Sequence, residues 1–66
     1  MTEKEAEEIG FAIADSADGG YCSHCTRGVV DALAILFPGQ LTALRRGANK
    51  RFSYDEGPPR DIWVED

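Results

Sequence analysis

This 66-residue chain is poor in most of the residues that would fix a function from sequence. It has one histidine, two cysteines, one tryptophan and three prolines. No Ser-His-Asp grouping and no Gly-rich phosphate loop is present, so hydrolase and nucleotide chemistry lack their parts. A structural zinc site usually needs two cysteine pairs, and only one exists. No apolar run approaches the roughly 20 residues that span a bilayer. Basic residues are the minority, 7 against 12 acidic, for a net charge of −5. That balance argues against direct nucleic-acid binding, which depends on neutralising phosphates. No repeat, low-complexity tract or linker divides residues 1–66, so a single small domain is expected.

Size sets the next limit. A chain this short buries only roughly 60% of its unfolded surface, so its stability is marginal. A Cys22–Cys25 disulfide would close a tiny loop and add little by chain entropy. A homodimer is an alternative source of buried area. The N-terminal residues are acidic where a secretory leader would be basic, which predicts a cytoplasmic protein with reduced thiols.

What is present is strongly patterned. Lys4 stands against Glu3, Glu5, Glu7, Glu8, Asp15 and Asp18. Arg27, Arg45, Arg46, Lys50 and Arg51 then stand against Asp31 alone. Arg60 closes against Asp55, Glu56, Asp61, Glu65 and Asp66. The chain is acidic, basic, then acidic. Either the blocks pair internally on a solvated surface, or an acidic face docks on a basic partner.

Thr2-Glu3-Lys4-Glu5 fits a helix capping box. Ala6, Ile9, Ile13 and Ala17 follow at helical spacing, and Asp18-Gly19-Gly20 is a stop. Within the same stretch, Ile9, Phe11 and Ile13 alternate as in a strand, and Gly10 costs a helix about 1 kcal/mol relative to Ala. Helix and strand both remain open for residues 9–14. A second helix should start between Ser23 and Thr26, with Val29, Val30, Leu33, Ala34, Leu36 and Phe37 as a wide apolar face. Arg27 and Asp31 would pair along it, and Pro38-Gly39 ends it. Residues 40–46 read as a strand or one helical turn closed by Gly47. Ala48-Asn49-Lys50 reads as a turn. Arg51-Phe52-Ser53-Tyr54-Asp55 and Ile62-Trp63-Val64 read as strands around a Gly57-Pro58-Pro59 turn. The expected fold is therefore α+β, with two helices packed on a small two- or three-stranded antiparallel sheet.

The sharpest motif is Cys22-Ser23-His24-Cys25. A thiol at a helix N-terminus is held as thiolate by the dipole and free N–H groups, and a protonated His24 would add to this. The segment resembles the active site of the thioredoxin superfamily, where a strand leads into C-x-x-C and then a helix. The resemblance implies Cys22 as attacking thiol and Cys25 as resolving thiol. The zinc alternative uses Cys22, His24 and Cys25, completed by a carboxylate or by a second subunit. The third reading makes both cysteines small, partly buried apolar residues.

Arg45 to Arg51 forms the one basic cluster, with Phe52 and Tyr54 after it. It serves either stacking on nucleic acid or internal pairing as hairpin-end charges. Trp63 is either the largest core residue or an interface anchor. Asp55-Glu56 and Glu65-Asp66 could act as acid and base, yet no nucleophile lies beside them in sequence.

In size and acidity the whole chain is similar to small phage-encoded inhibitors of the anti-CRISPR type. That likeness implies a small, acidic, non-enzymatic binding protein that needs no cofactor and covers the basic surface of a CRISPR effector or another nucleoprotein complex. The binding carboxylates would be Glu3, Glu5, Glu7, Glu8, Asp15 and Asp18, or Asp55, Glu56, Asp61 and Glu65.

Overall fold

Thr2 opens the first helix as the capping box predicts. The computed structural model describes residues 1–16, 22–53 and 61–64. In it the Thr2 hydroxyl accepts the Glu5 N–H at 3.1 Å, and the Glu5 carboxylate accepts the Thr2 N–H at 2.7 Å. Helix α1 (Glu3–Ser16) is followed by α2 (Ser23–Leu36), a 3₁₀ turn (Pro38–Gln40) and α3 (Leu41–Phe52). The expected α+β fold is overturned: among the described residues there are helices and turns, and no sheet.

The errors have local causes. Gly47 looks like a helix stop, but it lies inside α3, and Ala48, Asn49 and Lys50 continue the helix instead of turning. Ala, Leu, Arg and Lys in this stretch are strong helix formers. Arg51 and Phe52 form the last turn of α3 rather than a strand. Ile62, Trp63 and Val64 form a turn. Its Asp61 carboxylate accepts the Trp63 N–H at 3.0 Å, a local bond that competes with strand pairing. Residues 9–14 are helical, which removes the strand alternative. Asp18-Gly19-Gly20, Tyr54-Asp55 and Gly57-Pro58-Pro59 lie outside the described residues.

α1 and α3 form the main contact, and α2 packs more on α3 than on α1. The amide of Gln40, just before α3, reaches the Met1 carbonyl at 3.2 Å, and Asp15 meets Arg51 near the far ends. The two helices therefore run parallel, and α2 returns between their ends. They meet closely. A Cβ on Gly10 would fall on the Leu44 carbonyl, 2.8 Å from its carbon, and one on Gly47 would lie 2.7 Å from the Glu7 carbonyl carbon. Only glycine lets the backbones touch in this way. The buried stripe of α1 is thus Ala6, Gly10 and Ala14, with Ile9 and Ile13 at its edge.

The rest of the core is Val30, Ala34, Ala43, Leu44, Ala48 and Ile62. Thr26 is the buried polar member, and its hydroxyl donates to the Cys22 carbonyl at 3.0 Å. Ile62 is held by Asn49, whose side-chain oxygen accepts the Ile62 N–H at 2.9 Å. No described helix is long and apolar enough to cross a membrane.

Candidate functional site

The carboxylates of α1 mostly face α3. Glu3 meets Arg46 at 2.9 Å, and Glu7 meets Arg46 at 3.3 Å and also pairs with Lys50. Asp15 accepts from Arg51 at 2.7 Å. Glu5 closes the cap with Thr2, while Glu8 is exposed. The Lys50 bond, then that of Arg46, holds the Glu7 carboxyl below the usual range for glutamate. The Thr2 backbone N–H, then its hydroxyl, does the same for Glu5. Glu3 and then Glu7 raise the Arg46 guanidinium further above its ordinary value. The acidic and basic blocks therefore close on each other along the α1–α3 seam. The cluster expected at a hairpin end sits on a helix.

The remaining cation of that cluster, Arg45, turns to α2. Its Nε and Nη2 reach Asp31 at 3.2 and 3.0 Å. The indole N–H of Trp63 donates to the same carboxylate at 3.1 Å, and the Arg45 guanidinium lies 4.9 Å from the Trp63 ring centroid. Asp31 thus ties α2, α3 and the C-terminal turn together, where the sequence pattern pairs it with Arg27. Trp63 is half-buried and packs against the core. Asp61 serves its own turn and accepts from Asn49 at 3.4 Å. Asp18, Asp55, Glu56 and Glu65 lie outside the described residues.

Cys22 caps α2, whose first residue, Ser23, falls within the expected start. Its Sγ accepts the Cys25 N–H at 3.1 Å. The two cysteines are joined as a disulfide, with Cα atoms 5.4 Å apart. Between them His24 accepts a bond from Arg27 at 3.1 Å through Nδ1, an arrangement that needs that nitrogen unprotonated. No three His, Cys, Asp or Glu side chains converge on a metal position among the described residues.

The feature the sequence reading missed is apolar. Of the wide face on α2, only Val30 and Ala34 are buried and Leu33 is half-buried. Ile35 is 80% exposed, Leu36 73%, Val29 51% and Phe37 41%. A shallow groove of about 430 Å³ runs between α1 and α2, lined by Ile9, Ala12, Ile13, Ser16 and Val29. The available signal was the count of large apolar residues on α2, more than a core built largely of alanine accommodates.

A scan of protein-family models gives no match, and no curated protein or solved structure matches the chain.

Proposed function

We propose that this chain is a small non-enzymatic binding protein that covers the surface of a protein partner. The observation that carries the reading is the outward apolar face of α2, where Val29, Ile35, Leu36 and Phe37 stand in solvent. Clustered exposed apolar side chains of this kind mark interaction surfaces. The partner is a basic-surfaced, nucleic-acid-handling complex, which a chain of net charge −5 attracts at long range. Glu3, Glu7 and Asp15 are engaged with α3, so the carboxylates on the open side of α1 that meet the partner first are Glu8 and Glu5. The mode of action is occlusion of the partner's basic surface, as in the small phage-encoded inhibitors that the chain resembles in size and charge.

The test is capture by the tagged chain from a nuclease-treated bacterial lysate in reductant. The expected result is a stoichiometric nucleic-acid-handling complex, lost with Leu36→Glu and weakened with Glu8→Lys while circular dichroism is unchanged. Capture that survives both substitutions overturns the reading. Light scattering separates the case in which a second copy of the chain covers α2, because the mass then doubles.

A further inference from the structure

The basic cluster of α3 is only partly used by its ion pairs. Arg46 meets both Glu3 and Glu7 through Nη1, and Arg45 meets Asp31 through Nε and Nη2. A guanidinium carries five N–H donors. Nε and Nη2 of Arg46 and Nη1 of Arg45 therefore keep donors without a partner among the described residues. Lys50 gives one of its three protons to Glu7. The side chains of Arg45, Arg46 and Lys50 are 37%, 44% and 60% exposed, so a ligand can reach all three.

These cations border a groove of about 550 Å³ between α3 and the C-terminal turn. α3 lends Leu41 and the three cations to one side, and the turn lends Trp63 and Val64 to the other. Among the described lining residues Asp61 is the one carboxylate, and it already accepts from the Trp63 N–H and from Asn49. The groove is thus cationic on a chain of net charge −5. The Arg45 guanidinium lies 4.9 Å from the Trp63 ring centroid, and Val64 stands largely in solvent, so charge and apolar surface adjoin. None of the lining belongs to α2, which makes the groove a surface distinct from the outward apolar face.

We infer that this groove docks an extended acidic peptide segment of a protein partner, in which acidic and apolar residues alternate. Arg46 and Lys50 stand one helical turn apart, roughly 6 Å along the axis of α3. An extended chain presents every second side chain on one side, a repeat of roughly 6.6–6.8 Å. Carboxylates at alternate positions therefore meet Arg46 and Lys50 in turn, and the apolar side chains between them face Trp63 and Val64. A nucleic-acid strand matches less well. Its unbroken run of phosphates would lie against Glu3, Glu7 and Asp31, which sit beside the same cations. Arg45 also lies over the Trp63 ring, where a base would stack. The peptide site goes beyond occlusion through α2 and does not depend on it.

Trp63 is the one tryptophan of the chain, so its emission reports on the groove. The experiment titrates the purified chain at low salt with a capped hexapeptide of alternating aspartate and leucine. A saturable change in Trp63 emission is expected, and added salt should weaken it. Replacing two exposed ion pairs at once, with Arg46→Gln and Lys50→Gln, should weaken binding by about tenfold. Glu7→Gln works in the opposite direction. It removes the carboxylate that competes for both cations, so binding should tighten by about threefold. A groove that depended on the ion pairs only for its shape would bind less, so weaker binding in Glu7→Gln overturns the proposal. Equal binding of the hexapeptide with asparagine in place of aspartate overturns it too, as does the absence of saturation. Tighter binding of a short oligothymidylate than of the peptide assigns the groove to nucleic acid instead. Circular dichroism of each variant checks that the helices remain.

Discussion

The α1–α3 seam and the outer face of α2 divide the chain's side chains in opposite ways. The seam is built from Ala6, Gly10, Ala14, Ala43, Gly47 and Ala48, and it is the buried part. The face of α2 holds Ile35, Leu36 and Phe37, and it stands in solvent. In so short a chain, small residues let two backbones touch, and close packing replaces the volume that large side chains would fill. Bulk on α2 has no such place. The two regions therefore serve different ends, folding at the seam and contact with other molecules on α2. Substitutions should separate them.

The largest effect is expected at the glycines. Gly10→Val or Gly47→Val drives a side chain into a carbonyl of the facing helix, an overpacking cost of about 3 kcal/mol. Against marginal stability this should abolish a cooperative thermal transition. Gly28 is the control: it is helical, exposed and has open space around its Cβ position. Gly28→Ala should stabilise by about 0.5–1 kcal/mol, because it removes backbone freedom from the unfolded chain. A normal melt for Gly10→Val would break the contrast between seam and surface.

A smaller loss is expected where α2 is tied down. Asp31→Ala removes the shared acceptor of Arg45 and Trp63. The site is part-exposed, so about 1 kcal/mol is expected, read as a lower melting temperature and a red shift of Trp63 emission. Unchanged emission would mean that Asp31 does not hold the C-terminal turn.

The ion pairs give a pH signature. Glu7 has its pKa lowered in the folded state. Its contribution is complete above the ordinary glutamate value and is lost as pH falls through the lowered one. Melting temperature should therefore fall on acidification, less steeply in Glu7→Gln, and added salt should weaken the same pairs. Parallel acid limbs for the two proteins would remove Glu7 from the account.

The capping box at Thr2 and Glu5 was legible because both partners lie within one turn. The length of α2 was legible too, since Pro38 bounds it. What failed was the inference from Gly47. Gly10 read as a cost to its helix and Gly47 as a helix stop, and the contribution of each appears only once it meets a backbone distant in sequence. The alternation in residues 51–55 and the β-branched residues around Trp63 suggested strands, but no partner strand lies within the described residues. Charge was half legible. The acidic and basic blocks were visible, whereas the pairing of Glu3, Glu7 and Asp15 with α3 required the parallel arrangement of the helices. Of the candidate site, Cys22 and Cys25 were visible from their spacing. That Cys22 caps α2 was not, because its Sγ meets the Cys25 N–H only once the helix has formed.

The smallest effect on stability is expected on α2, and it is the one that most sharpens the contrast. Leu36 and Ile35 are largely exposed, so truncating them removes little buried area. Leu36→Ser and Ile35→Ser should each change stability by no more than about 0.5 kcal/mol. A purely structural role for the face predicts no other consequence. A binding role predicts that capture of the partner falls sharply while the melt stays in place, because exposed apolar anchors act on affinity and not on folding. If both substitutions instead destabilise the chain as Gly10→Val does, the face is a missing part of the core. Denaturation curves beside capture assays decide this, since only a binding surface lets affinity change while the midpoint holds.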